Sequence, residues 1–387
     1  MGGMELFSSL LILLFLLGGT RRGLSRLPFW KPLIFFVVVV AVGILAGEAP
    51  LEGKLFDLGR LRFFLLYPVL FYSLKDCDPD QRWVGWLGGI SLVVALYGVV
   101  QHFMPLDLVR PEGKKVYLYA LQNEKIGPLV AGTFNHHLTF ANVYLFYACL
   151  FGALAVSFPQ VLRGALLFLV TFWTQSRAAW AAIPICILGL VIPRGKKAWA
   201  LLLLLFLAGG PLFYFTDSGF KERLRRTLWV KDERYDLGER QRLWRLQWEL
   251  IQQHPVLGVG WNNNERFCAR EMKLLYPGEG VFCGHAHSEV LQIFSTTGLL
   301  GLSAFLWLWA QVFIAALQSY RAFPTGKRKS ICLGLLIGFA GFHLQGVTQW
   351  NFGDAEVLHN VIFFWAAIGQ LWLQSSTVII KKSSQSQ

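Results

Sequence analysis

Charged side chains are scarce in this chain of 387 residues: Asp, Glu, Lys and Arg make up only 15%, where a soluble chain carries about a quarter. That shortage excludes an ordinary water-soluble domain. Acids are rarer than bases, 23 against 36, and the middles of the apolar runs hold almost no Asp or Glu. Ion-coupled transporters place ionisable groups near the bilayer midplane, so the absence argues against that class. Paired carboxylates of the glycosidase kind are missing. No carboxylate or thiolate accompanies the histidines in a recognised zinc spacing. The apolar run from Met1 to Gly19 has no basic residue before it and no small-residue cleavage site; Arg21 and Arg22 follow it instead. It reads as a retained span, not a removed signal. No fixed-period repeat runs through the chain.

What is abundant is apolar sequence, 55% of the chain, gathered into long runs. Wound as helix, runs near twenty residues match a hydrocarbon core roughly 30 Å thick. Lipid offers backbone groups no alternative partner, so helix is the natural choice. The expected fold class is all-α: a polytopic membrane protein with about 11–12 transmembrane helices and one large helical periplasmic loop. The spans fall near 4–19, 29–47, 58–74, 83–102, 136–157, 161–175, 178–193, 198–216, 299–319, 329–350 and 356–376. The net charge of +13 does not build a nucleic-acid surface, because Lys and Arg cluster between the apolar runs, as cytoplasmic loops do.

Those clusters set the orientation. Arg194-Gly195-Lys196-Lys197 and the stretch from Arg321 to Lys329 are the strongest cytoplasmic markers, and Thr20 to Arg26 and Lys381-Lys382 agree with them. Counting from them puts 103–135, 175–178, 217–286 and 351–355 outside, with the acidic stretch Gly47 to Asp57. Arg60 and Arg62 fit that count only by snorkelling to the interface. Eleven spans leave the N-terminus outside; a twelfth returns it to the cytoplasm. The chain then divides into an N-terminal bundle (1–216), the periplasmic loop with amphipathic helices (217–286), C-terminal transmembrane helices (287–376) and a cytoplasmic tail (377–387).

Within the loop, the sequence from Gly238 to His254 has helical periodicity, with Arg240, Trp244, Trp248 and Ile251 on one face. Pro255 and Gly258-Val259-Gly260 end it. The expected placement is along the membrane surface, Trp side down. Cys77, Cys149, Cys186 and Cys332 lie in or beside spans and read as small buried hydrophobes. Cys268 and Cys283 both fall in the loop, where an oxidising compartment allows a disulfide, provided their geometry suits one.

The unusual polar residues gather on the same external side. Arg177, in Thr174-Gln175-Ser176-Arg177, stands between two apolar runs. It is either an interfacial Arg reaching water or a fixed cation for an anionic headgroup, whose phosphate its planar fork suits. Arg240 opens the loop helix with Arg242 and Arg245 nearby, either a solvated basic face or a second phosphate contact. His285 and His287, in Gly284-His285-Ala286-His287-Ser288-Glu289, stand where the loop re-enters the membrane. Histidine accepts a proton near neutral pH without special tuning; the pair also offers half of a metal site, with His136-His137 as the rest. Gly132-Thr133-Phe134-Asn135-His136-His137 precedes a span, and its small and amide residues either bind a sugar or phosphate or cap the next helix.

Taken together, these pieces resemble the O-antigen ligase and polymerase superfamily. The resemblance is carried by Gly132 to Asn135, Ser176-Arg177, Arg240 to Trp244, the His-Pro-x-x-Gly-x-Gly of His254 to Gly260, and the His-Ser-x-x-Leu-Gln and Gly-x-x-Gly of His287 to Gly301. It covers roughly residues 130–320, and it lies in the order, spacing and common side of motifs that are weak singly. It implies a GT-C-like fold, His287 as catalytic base, and Arg177 and Arg240 as diphosphate ligands, with Ser176, His285, Asn135, His136 and Arg242 around the substrate. It also implies independence of metal and nucleotide cofactor. The implied donor is a glycan on undecaprenyl diphosphate, the acceptor a sugar hydroxyl of lipid A–core, and the place the periplasmic face of a bacterial inner membrane. Two departures stand out. Thr297 occupies a position where relatives often carry an acid, and Arg242 competes with Arg240, which the Trp244-to-His254 spacing favours. An O-antigen polymerase and a protein oligosaccharyltransferase are the neighbouring readings; a transporter or flippase for an anionic lipid is the reading from another class.

Overall fold

Apolar residues at three- and four-residue spacing wind the chain into helix throughout the computed structural model. It describes residues 2–17, 27–77, 81–104, 106–110, 129–195, 221–222, 237–275 and 283–385. Among them no strand occurs. In chain order the helices are α1 (Gly2–Leu17), α2 (Trp30–Ala46), α3 (Leu51–Arg60), α4 (Leu66–Cys77), α5 (Trp83–Phe103), α6 (His137–Leu154), α7 (Phe158–Phe172) and α8 (Arg177–Val191), followed by α9 (Leu237–Gln253), α10 (Asn264–Leu275), α11 (Glu289–Ala322), α12 (Lys327–Gly346) and α13 (Ala355–Gln385). Five stretches are long and apolar enough to cross a membrane: α5, α6, Arg177–Arg194, α11 and Ala355–Thr377 of α13. Glu5–Phe15, α2 and α7 are shorter apolar helices. The chain is thus an all-helical, multi-pass membrane protein. The expected span at 198–216 and most of 217–236 lie outside the described residues.

The helices form two compact units, one of residues 1–81, 233–322 and 346–387, the other of 82–232 and 323–345. In the first unit α11 packs against α2 and α13, and α13 against α4. Phe36 of α2 sits at the centre, its ring 6.0–6.2 Å from those of Phe64, Trp261, Phe305 and Phe352. Edge-to-face and tilted pairs of this kind add about 0.5–1.5 kcal/mol each beyond their buried area. The span expected at 58–74 is broken: a 3₁₀ turn over Leu61–Leu65 separates α3 from α4. The two arginines there have protein partners. Arg60 donates to the Gly353 carbonyl at 3.0 Å, and Arg62 to Ser9 Oγ at 3.1 Å and to Glu5 at 3.4 Å.

In the second unit α6 is central. From Thr139 to Phe151 every residue is buried, as expected of a helix apolar all round. α7, α8 and α12 surround it, the last through Phe146 on Phe339 and Phe342. α5 divides cleanly into two faces. Val84, Gly88, Ser91, Ala95, Gly98 and Gln101 are buried, whereas Trp86, Ile90, Val93 and Leu96 are exposed. An apolar stripe of that length on a helix surface marks a lipid contact. Where α8 ends, Arg194 Nη2 donates to the carbonyls of Gly152 and Ala153 at 2.7 and 2.6 Å, satisfying the last turn of α6.

Candidate functional site

The sequence candidates fall into two groups, one in each unit. In the first unit, residues 283–288 lead into α11 without regular structure, with Ala286 fully buried between His285 and His287. Both peptide groups of Ala286 are held. Its N–H donates to Gln292 Oε1 at 2.7 Å, and its carbonyl accepts from the Trp244 indole at 2.9 Å. Gln292 is fixed in turn by a reciprocal amide pair with Asn264, at 2.9 and 3.0 Å. Gln247 joins this network, accepting from Asn264 at 3.4 Å and from Ser295 Oγ at 2.5 Å. All four side chains are buried, so each bond is made where water cannot replace it.

This network orients two imidazoles. The rings of His285 and His287 meet edge-on at 4.3 Å. His287 has φ 45°, a left-handed conformation uncommon outside glycine that clusters at functional sites. His285 is held below its ordinary pKa, first by burial and then by the charge of Arg240, while Asp354 acts in the opposite sense. Of the two histidines, it is His285 that feels the Arg240 charge. Arg242, two residues on, points to another side of α9, since successive positions rotate by about 100°.

Against its protein neighbours the loop helix buries a stripe of leucines. Leu243, Leu246 and Leu250 pack with Val259 and Cys268, and Phe267 and Cys283 flank them. Trp248 is exposed, Trp244 sits on the flank facing Ala286, and Ile251 is buried. The reason is that α9 packs against protein, on α11 and α10, and leucines fill that contact. Cys268 and Cys283 are joined, their Cα atoms 5.5 Å apart, tying α10 to the irregular segment that carries the histidines.

A backbone exchange locks the far end. α11 begins ten residues before the expected span and breaks at Gly298, with φ 64° and ψ −167°. The break frees the bonds that Leu299 and Leu300 would make to Ser295 and Thr296. Those N–H groups donate instead to the carbonyls of Pro255 and Val256, at 2.8 and 3.3 Å. The freed carbonyls accept from Val259 and Gly260, at 2.9 and 3.0 Å. The loop segment 255–260 is thus inserted into the helix ladder through four backbone bonds. Gly258 and Gly298 both have positive φ; a Cβ on Gly258 would collide with the backbone of Thr296 to Gly298, and one on Gly298 with the backbone of Val256 and Leu257. The Gly-x-Gly and Gly-x-x-Gly motifs are two sides of this one contact.

In the second unit, His136 is the N-cap of α6, its Nδ1 accepting from Leu138 N at 3.2 Å, and Ser176 caps α8 by accepting from Ala179 N at 3.3 Å. His137 Nδ1 lies 2.7 Å from the Thr174 carbonyl, and Val130 N donates to the Trp173 carbonyl at 3.3 Å. These bonds bring the Gly132–His137 turn beside Thr174–Arg177. Asn135 and His136 are exposed, Ser176 is buried and Arg177 is half-buried at the start of α8. Sequence reasoning passed over the device beneath the turn. Arg110 donates to the carbonyls of Ala131, Gly132 and Phe134, and Gln101 bonds both ways with Gly132, at 3.2 and 2.8 Å. Arg110 is also paired with Asp107 at 2.6 Å. Burial alone would raise the Asp107 carboxyl, but Arg110 and the N–H groups of Val109 and Arg110 bring it below the usual range. Nothing in the local sequence marks Arg110 as buried; the nearest signal is an Asp three residues before it. Gln292, by contrast, stands in the His-Ser-x-x-Leu-Gln motif, so part of the other network was visible.

Among the described residues, no three His, Cys, Asp or Glu side chains gather as they would around a metal ion. No curated protein matches the chain at a significant level. Residues 164–306 match the family model described as O-antigen ligase. The match contains Ser176, Arg177, Arg240, Arg242, His285 and His287, while Asn135 and His136 precede it. Across that segment, the chain is matched to the O-antigen ligase superfamily whose motifs its sequence resembles.

Proposed function

We propose that this protein transfers a glycan from undecaprenyl diphosphate to a sugar hydroxyl of lipid A–core, at the periplasmic face of a bacterial inner membrane. The observation that carries the reading is the double tether on Ala286, which fixes His287 where the long loop enters α11. A sugar hydroxyl is a poor nucleophile, and an oriented imidazole removes its proton as the oxygen attacks the anomeric carbon. The anomeric carbon–oxygen bond to the diphosphate breaks in the same step, with inversion, and the proton stays on His287. The lipid diphosphate departs as an anion and needs no protonating acid. It needs cations where charge develops, and on chemical grounds those are Arg240 and Arg177. Ser176, Asn135, His136, His285 and Arg242 are assigned to the surroundings of the substrates, with no metal or nucleotide cofactor.

The test is reconstitution of the purified protein with carrier-linked glycan and lipid A–core. Glycan attached to lipid A–core supports the reading. Longer glycans that remain on the carrier identify a polymerase instead, and movement of the carrier lipid without a product identifies a transporter.

A further inference from the structure

A cavity of about 560 Å³ opens in the second unit where the first turns of α5, α7 and α12 meet the last turn of α6. That volume is in the range of organic-ligand sites, roughly 300–1,000 Å³. It lies at the end of the unit that carries Arg194 and Lys327, which the distribution of basic residues assigns to the cytoplasm. Its chemistry is lopsided. Arg163 and Lys327 line it, and no acidic residue does. The Arg163 guanidinium rests over the Phe151 ring, 5.8 Å from its centroid, and among the described residues no carboxylate pairs with it. Gln160 also reaches the cavity, but its Oε1 is committed to Val156 N and Ser157 N at 3.0 and 3.2 Å. Lys327, Arg328 and Lys329 open α12, at the positive end of the helix dipole, where anions are favoured and cations are not. A preference for basic cytoplasmic loops accounts for lysines in this stretch. It does not account for a walled cavity with a stacked arginine in it.

We propose that this cavity binds an anionic phospholipid of the adjacent leaflet. Its phosphate lies against Arg163 and Lys327, with the Ser330 hydroxyl as a further donor, and its tails follow the exposed stripe of Trp86 and Ile90 on α5. The phosphate chemistry is shared with free phosphate, but the apolar walls are not. A hydrated inorganic ion leaves Phe151 and its neighbours uncovered, whereas a glycerol backbone and acyl chain cover them. Basic pockets between helices at a cytoplasmic surface take lipid headgroups on this principle.

The experiment is native mass spectrometry of the full-length protein in detergent, titrated with phosphatidylglycerol, with phosphatidylcholine of the same chains, and with inorganic phosphate. Phosphatidylglycerol is retained in preference to phosphatidylcholine, and Arg163→Gln and Lys327→Gln each weaken that retention about fivefold. Lys75→Gln, a basic residue outside the cavity, leaves it unchanged. If Arg163→Gln does not fold, Lys327→Gln carries the test. Equal retention of the two lipids, or undiminished retention by the cavity variants, overturns the proposal. Displacement of the lipid by millimolar phosphate overturns the lipid assignment in favour of a free-anion site.

Discussion

The Trp244 indole donates to the Ala286 carbonyl at 2.9 Å, across 42 residues of chain and between a loop helix and the segment that carries both loop histidines. Gln292 holds the other side of the same residue at 2.7 Å. With both peptides of Ala286 fixed, the chain enters His287 in a set direction. Trp244 is therefore a positioning residue in the proposed reaction, and it can be separated from its packing role. Trp244→Phe keeps an aromatic ring and removes the donor together with part of the indole's bulk. Stability is expected to fall by about 1 kcal/mol, and kcat roughly 10- to 100-fold, with the acceptor KM little changed. His287→Ala is expected to lower turnover by about 10²–10⁴ while leaving membrane insertion intact. Wild-type kcat in Trp244→Phe makes the bond purely structural, and an active His287→Ala removes the base.

The two proposed phosphate ligands depend on shape as well as charge. Arg177→Lys and Arg240→Lys keep the cation and lose the planar fork, so each is expected to lower kcat/KM at least about tenfold. Arg242→Lys, on another side of α9 and in the surroundings of the substrates, not on the diphosphate, is expected to lower it less than either. Steady-state kinetics on the reconstituted protein decide this. Full activity in Arg177→Lys leaves that residue as an interfacial anchor.

The backbone exchange at α11 gives a stability prediction independent of catalysis. Gly258→Ala and Gly298→Ala add a Cβ where φ is 66° and 64° and where the opposing backbone already occupies the space. Each is expected to cost more than about 2 kcal/mol, seen as a lower Tm or loss of folded protein in detergent. Gly89→Ala is the control, because nothing lies within 4 Å of a Cβ there. In the interior of α5 it is expected to stabilise by about 0.5–1 kcal/mol.

Cys268 and Cys283 close a loop with a sequence separation of 15, for which chain entropy gives about 3 kcal/mol. Mass spectrometry after alkylation without reductant is expected to show both thiols blocked in protein from cells with an oxidising periplasm. Reduction, or replacing both with Ser, is expected to lower Tm. Free thiols in freshly isolated protein place this loop in a reducing compartment and refute the proposed topology.

Acid is expected to weaken the first unit through His285. Burial foremost, and then Arg240, depress this imidazole below 6.5, so near that value the folded state binds fewer protons than the unfolded chain. Its contribution is complete above pH 6.5 and is lost as pH falls through that value towards the depressed folded pKa. The Tm of the wild type is expected to drop more steeply than that of His285→Gln from about pH 7.5 to about pH 5.5. Parallel curves exclude the linkage.

The helical, membrane-spanning character of this protein was written in its sequence, because a bilayer imposes length and polarity on every span separately. Motif order also singled out Arg177, Arg240 and His287, and the glycines at 258 and 260 could be read as ending the loop helix, since their effect is local. Which glycines face each other was not readable, because the contact joins backbone segments some forty residues apart. Nor could sequence show that Leu243, Leu246 and Leu250 form the buried stripe of α9, for the periodicity admits a Trp face equally well and only the neighbouring helices choose between them. The amide network of Gln247, Asn264 and Gln292, and the buried Arg110 beneath the Gly132 turn, belong to tertiary structure altogether. Polar side chains look solvated in a linear sequence. Only the packing that removes water turns them into fixed supports for a histidine and for the turn that precedes α6.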